Sequence, residues 1–392
     1  MTTSYQEERI MEKGKYTISY MTLGTALMAC KVMLSYSKVI PYSSNIDTLL
    51  IVIALVCFVT RILLQKYSGK TLITYALISA VALYSCIVAK NSSLLITIVT
   101  LFALRNYDVN KFLKTIFKVE SFLCIFHVVY SLGYSVFVSW DRYLLFLDDR
   151  YRFSFGFSHA NTFSALLFCN LMLYIWLHYN SNLKVVLLKT TIIEVIAYIF
   201  TNSRTSLVTY IVLVLFITIR ETRIGQHIIR GLCKFGIPII SISFMALIKG
   251  YIQGNPISYL VNTILTSRVK LGAYAYKDYG VTFMGQYVKY LNSISWDQTW
   301  QLNSFTFDNV YSFLAISLGI VWIVILTFVY YQCAKRFDIK SLIFMGIWII
   351  YGLSEATILN GYFCFPIFLI VGIFKNVNKI KENLNRENTL IL

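Results

Sequence analysis

Apolar runs recur along this chain at lengths suited to a lipid bilayer, and they set the class of fold before any motif is read. A helix needs about 17–25 predominantly apolar residues to cross the hydrocarbon core. Twelve runs reach or approach that length, at 17–37, 46–64, 71–89, 92–105, 118–138, 161–179, 184–201, 205–220, 232–249, 309–332, 339–355 and 360–375. The 92–105 and 205–220 runs are short for a crossing. Between the runs lie polar connections, with no soluble domain, low-complexity tract or clear internal repeat. At 57% hydrophobic and 14% charged residues, the composition excludes an ordinary soluble domain. In lipid, backbone groups must be satisfied within the segment, which favours helices. The expected fold is therefore all-α, a single polytopic membrane domain over 1–392 with about twelve transmembrane helices.

The net charge of +17 would suit a nucleic-acid binder if it lay on one surface. Its distribution follows the connections instead. With the N-terminus placed in the cytoplasm, the inner segments carry 23 of the 35 Lys and Arg, the outer ones 11, and Lys31 falls within the first run. This is the positive-inside bias. It puts both tails, 1–15 and 376–392, on the cytoplasmic side, makes the first run an uncleaved anchor, and leaves no basic surface for nucleic acid. Membrane lipids are the surroundings this implies. The eight cysteines fall in or at the edges of runs without a CxxC pair, and read as apolar packing residues.

Unexplained polarity gathers on the outer side. Two outer connections are long: 139–160, and the large loop 250–308 between the ninth and tenth runs, where 258–278 and 286–292 suggest short helices lying on the membrane. Two short outer turns are also polar, TNSRT at 201–205 and SEATILNG at 354–361. Outer arginines run against the positive-inside bias, so Arg142, Arg150, Arg152, Arg204 and Arg268 need a second reason. Arg142 and Arg150 have Asp141, Asp148 and Asp149 as neighbours and read as a self-paired loop. Arg152 and Arg204 sit at the mouths of runs, where a guanidinium is costly unless it meets an anion or snorkels to headgroups. The planar fork of arginine suits phosphate.

His159 follows Arg152 by seven residues. Asn161 or Thr162 would cap the next helix, leaving the neutral His159 imidazole as a general base toward a sugar hydroxyl. The other histidines, His127, His178 and His227, read as packed or capped. Glu194 lies mid-run, functional or paired with Lys31. Asp308 and Asn309 open the tenth run, Asp308 with a helix cap as its alternative, and Glu355 closes the eleventh. The chain has no metal-ligand spacing, no Walker loop and no cytoplasmic DxD pair. The reading is thus of chemistry with neither metal nor cofactor.

These residues resemble a family. RFSFGFSHANT is similar to the Arg-x3-Gly-Phe-x-His-x-Asn signature of the bacterial Wzy-type polysaccharide polymerases, the O-antigen polymerase-like membrane glycosyltransferases. TNSRTSLV resembles their Ser-Arg turn, TSRVKLGAYAYKDYGVTFMGQ their large extracytoplasmic loop, DNVYSFLAISLG the start of the following span, and SEATILNGYFCFPIFLI the terminal pair. The order matches over about residues 90–375. Ala160 stands where such chains often carry proline. Eleven residues separate Arg268 from Gly280, where the family's loop spacing is ten.

The resemblance implies an undecaprenyl-diphosphate-linked oligosaccharide as both donor and acceptor at the outer face of the bacterial cytoplasmic membrane. It implies Arg152, Arg204 and His159 as catalytic residues. Arg268, Asn161, Asn202, Ser203, Asp308, Asn309 and Glu355 would hold sugar or diphosphate. A chain-length regulator and a flippase are the protein partners it suggests. Two other readings stand beside it: an O-antigen-ligase-like transfer of finished glycan to another acceptor, and a flippase or transporter of lipid-linked sugars.

Overall fold

The structure, a computed structural model, describes residues 19–138, 145–147, 151–289, 291–296, 302–305 and 307–374. The tails, and Asp141, Arg142, Asp148, Asp149 and Arg150 of the 139–160 loop, lie outside the described residues.

Helices dominate. In chain order they are α1 Tyr20–Ser35, α2 Ser44–Leu63, α3 Gly69–Ala89, α4 Ser93–Ala103, α5 Val109–Phe137, α6 Ala160–Leu177, α7 Leu183–Thr201, α8 Arg204–Ile219, α9 Arg223–Ile252, α10 Pro256–Ile264, α11 Arg268–Tyr279, α12 Val310–Phe313, α13 Ile320–Arg336 and α14 Ile339–Tyr351. Their starts are set locally. Ser43, Asp108, Asn182 and Thr222 each accept a hydrogen bond from a backbone N–H of the first turn, the orphan donors of a helix N-terminus. Two short hairpins interrupt the helices: β1 Leu145–Leu147 with β2 Tyr151–Phe153, and β3 Leu291–Trp296 with β4 Leu302–Phe305.

Among the described residues four helices, α2, α3, α6 and α9, are long and apolar enough to cross a membrane; α1, α4, α8, α14 and the 3₁₀ segment Phe365–Phe374 are shorter apolar helices. Burial sorts them into layers. In α14, Ile343 through Ile349 apart from glycine are essentially sealed, as are Pro366 and its neighbours in the 3₁₀ segment. A helix apolar all round belongs inside a bundle, and α8, α9 and α13 pack around these two. On α2 and α3, by contrast, Leu49, Val52, Val56, Leu63, Ile73, Leu77 and Ile87 are exposed. So large an apolar surface is stable only against lipid. The chain is a helical membrane protein.

The 250–308 region departs from expectation in two places. The helix expected over 258–278 is two helices, α10 and α11, because Thr266 and Ser267 turn the chain with positive φ of 49° and 69°. No helix forms among the described residues of 286–292: 286–289 has no regular structure and β3 begins at Leu291. The backbone leading into this stretch is already committed. Thr282 and Gln286 N–H donate to Ala315 and Ser317 carbonyls (3.1 and 2.8 Å) of the π turn Leu314–Leu318, and Ile320 and Val321 N–H donate back to Thr282 and Phe283 (2.9 and 3.1 Å). A strap held this way cannot also coil. Gly319 (φ 106°) permits the approach, since a Cβ there would lie 2.5 Å from the Phe283 carbonyl oxygen.

Candidate functional site

The connections at one end of the bundle interlock. The Phe155–Gly156 turn takes positive φ at both residues, 47° and 83°. It docks on the α1–α2 connection: Lys38 N–H donates to Gly156 O and Ser158 N–H to Tyr36 O, both at 2.8 Å. His127 secures the joint, with Nε2 2.7 Å from Ser37 Oγ, Nδ1 2.7 Å from Leu123 O, and its ring stacked on Phe157 at 4.6 Å. That is the packed role expected of it. Gly156 has no room for a side chain: a Cβ would stand 2.5 Å from Ser131 Oγ and 2.6 Å from Val39 Cγ2. Gly156→Ala combines a strained φ with overpacking, and should cost about 2–4 kcal/mol, read as a lowered thermal midpoint of the purified protein.

This turn carries Arg152, His159 and Asn161. Arg152 is buried, and its Nη1 donates to Asn161 Oδ1 at 3.0 Å. His159, rather than Asn161 or Thr162, caps α6: its Nδ1 accepts from Asn161 N–H at 2.9 Å. That bond moves the cap from Asn161 or Thr162 to His159. An imidazole whose Nδ1 accepts in the neutral form carries its proton on Nε2. His159→Ala should cost about 0.5–2 kcal/mol through the lost cap, whereas His159→Asn, which caps as well, should restore the thermal midpoint.

Phe153 and Phe155 pack edge-on against Phe200, at 5.2 and 6.0 Å, close to the α7–α8 turn. Asn202 there ends α7 in the left-handed conformation (φ 51°), its N–H donating to Tyr198 O at 2.8 Å, a C-cap role open to asparagine. Buried Ser203 precedes α8 without a side-chain cap bond. Arg204 is the first residue of α8; it is exposed and has no hydrogen bond or ion pair among the described residues.

Arg268 comes to this turn from the far side. Its Nη2 donates to Thr205 Oγ1 (3.4 Å), Nη1 to Leu265 O (3.1 Å) and Thr266 Oγ1, and Nε to Ser354 O (3.1 Å). It thus ties α8, the α10–α11 turn and the connection after α14 together. Asn309 fixes the same connection: its Nδ2 donates to Leu353 O at 2.8 Å, and Val310 N–H donates to Gly352 O at 2.8 Å. Asn309 Oδ1 also accepts from Ser312 N–H, so Asn309 and not Asp308 caps α12. Glu355 follows Ser354 directly. Its Oε1 accepts from Thr357 Oγ1 (2.7 Å) and N–H (3.3 Å). Burial pushes the Glu355 carboxyl up to about 7; the Thr357 hydrogen bond and the Arg268 charge oppose the rise, and the Asp308 charge adds to it. The same carboxylate helps raise the Tyr36 phenol, after burial. The structure therefore joins Arg268, Asn309 and Glu355 around one connection, with Asp308 in electrostatic reach, and Arg204 is the chain neighbour of Thr205, to which Arg268 donates. Arg152, His159 and Asn161 form a second group, linked to the first through Phe200 and the α7–α8 turn.

One expectation about the bundle interior changes. Lys31 does not pair with Glu194; it pairs with Asp47 at 3.2 Å. Glu194 is buried in α7, and its Oε2 has no partner among the described residues. Glu120, not singled out in the sequence, is also buried, with Asn170 Nδ2 3.5 Å from its Oε2 and Ser121 Oγ donating to Asn170 Oδ1 at 2.9 Å. Thr205, Thr266, Tyr36 and Thr357 likewise carry no signal in the sequence, since single hydroxyls at the ends of elements make no pattern. No group of three His, Cys, Asp or Glu that could hold a metal occurs among the described residues.

The fold and its lipid-suited surface define the class, a helical membrane protein with a polar, arginine-bearing end. Comparison with protein-family models, with curated proteins and with solved structures finds no match to this chain.

Proposed function

We propose that the chain polymerises lipid-diphosphate-linked oligosaccharide repeat units into a surface polysaccharide at the outer face of a bacterial cytoplasmic membrane. In this reading it crosses the membrane about twelve times, with both termini inside and the 250–308 loop outside. The observation that carries the proposal is Arg204. A helix N-terminus already bears partial positive charge from its unpaired N–H groups, so an arginine there is doubly unfavourable without an anion. Arg268, fixed one residue away at Thr205, adds a second guanidinium. A diphosphate answers both, and helix N-termini are ready anion sites.

The reaction then needs few parts. The acceptor hydroxyl oxygen attacks the anomeric carbon of the donor, forming the new glycosidic bond. The bond from that carbon to the diphosphate oxygen breaks, and its electron pair leaves on the phosphate. Arg204 and the remaining donor capacity of Arg268 stabilise that charge. Glu355 takes the hydroxyl proton. Arg152, His159 Nε2–H, Asn161, Asn202, Ser203, Asp308 and Asn309 hold sugar or phosphate oxygens, or hold the residues that do.

A ligase-like enzyme would use the same parts on another acceptor. Deleting the gene separates the two: a polymerase deletion accumulates single lipid-linked repeats, whereas long unattached polymer points to a ligase. A transporter is favoured by one observation, the buried Glu120–Asn170 pair and Glu194 away from the helix ends, since transporters place polar groups near the midplane. Reconstituted protein that translocates lipid-linked sugar without joining units would establish that reading instead.

A further inference from the structure

A cavity of about 230 Å³ opens beside the 352–360 connection, walled in part by residues of the SEATILNG turn. Its walls include Lys31 and Tyr36 from the end of α1, Asn91 from the α3–α4 turn, Phe307 before α12, and Thr357 and Asn360 after α14. Three features define what it would take. First, its amides offer donors. Asn91 Oδ1 accepts from Ser93 N–H (3.0 Å) and Asn360 Oδ1 from Tyr362 N–H (3.1 Å), which fixes both side chains, and no described group accepts from either Nδ2. Secondly, Phe307 and Phe313 lie with ring centroids 5.1 Å apart, an apolar wall beside the polar one. Thirdly, Lys31 is neutralised by Asp47 at 3.2 Å, and Tyr42 OH donates to the same Asp47 oxygen at 2.7 Å. The cavity therefore shows no net charge.

Fixed amide donors, hydroxyls and an aromatic wall are what a sugar ring needs: hydrogen bonds for its hydroxyls and an apolar face for its C–H groups. A diphosphate would find only one cation there, and that one already paired. Thr357 links the cavity to the chemistry, because it lines the wall and its hydroxyl donates to Glu355. The geometry points to this cavity as the subsite for one neutral sugar ring of the acceptor, with the ring held against Asn91, Asn360 and Thr357 and its glycan directed toward Glu355. The identity of the ligand rests on the proposed polymerase reading; the subsite itself rests on the cavity.

The test uses the full-length protein in nanodiscs and two probes: inorganic diphosphate, and the free oligosaccharide released by mild acid from lipid-linked repeats of a strain lacking this chain. Asn91→Asp and Asn360→Asp keep the Oδ1 that holds the turn and remove the Nδ2 donor. Each should weaken oligosaccharide binding by about fivefold or more, a loss of the order expected for one hydrogen bond, with diphosphate binding unchanged. On the wild-type protein, which needs no substitution to fold, the oligosaccharide should slow amide exchange at 90–93 and 356–360. No oligosaccharide binding, or binding without slowed exchange there, overturns the subsite, and so does a smaller loss in both variants. If diphosphate fails to bind while the oligosaccharide binds and the variants weaken it, the polymerase reading falls and the sugar subsite stands.

Discussion

Arg204→Ala should lower polymer formation by about 10²–10³-fold, the usual cost of removing one preorganised donor to developing charge, and leave the thermal midpoint where it was. Both halves follow from its setting. The side chain is exposed at the start of α8 with no partner among the described residues, so its removal breaks no contact. Against the helix dipole, its loss is if anything favourable to the fold. Arg268 behaves differently. Its guanidinium spends its donors on Ser354, Leu265, Thr266 and Thr205. Arg268→Ala strands those acceptors and should cost about 1–3 kcal/mol of stability together with the activity. Arg268→Lys should not rescue it, because an ammonium cannot reproduce the fork. Activity and melting measured on the same preparations separate the two arginines. Equal losses of stability in both would contradict the assignment.

Glu355→Gln should lower the rate by about 10²–10⁴-fold, the usual contribution of a general base, and should also remove the pH dependence. Burial is the first cause of the raised Glu355 carboxyl, pushed up to about 7. The groups that act on it or feel it are Asp308 before α12, Arg268 at the start of α11, Tyr36 after α1, Tyr351 at the end of α14 and Cys169 in α6. A base works ionised. The rate should therefore fall about tenfold per pH unit below about 7 and level off above it. The effect on the fold has the opposite sense. A carboxyl raised in the folded state favours the protonated form, so stability declines as pH rises from 4.5, its ordinary value, through about 7. Glu355→Gln should flatten that decline as well as the rate profile. A rate limb persisting in the Gln variant would move the base elsewhere.

The helices were legible because apolar runs and capping residues are local. Ser43, Asp108 and Asn182 announce starts within three residues of the bonds they make. The 250–308 region departs from its local pattern where distant chain takes part: Gln286, the first residue of the stretch 286–292, donates its N–H to the carbonyl of Ser317. The polar residues of the site were legible as types in unusual places, but their partners were not. Arg268 stands out in the sequence as an outer arginine, yet Ser354, to which it donates, lies 86 residues on. Lys31 looked like a partner for Glu194 because both stood within apolar runs; the fold instead sets it beside Asp47, at the start of the next helix. The cap of the helix after Arg152 is suggested by spacing to be Asn161 or Thr162, whereas in the fold His159 Nδ1 accepts from Asn161 N–H and caps it. Burial and tautomer are settled by packing, and packing is not written in local spacing.

The central claim is that this membrane protein joins lipid-diphosphate-linked repeat units. Purified protein in nanodiscs, given such units extracted from a strain lacking it, should convert them into a ladder of products spaced by one repeat, and Arg204→Ala should stop the ladder. Wild-type protein that leaves single repeats unjoined, while moving them across the membrane or leaving them untouched, would contradict it.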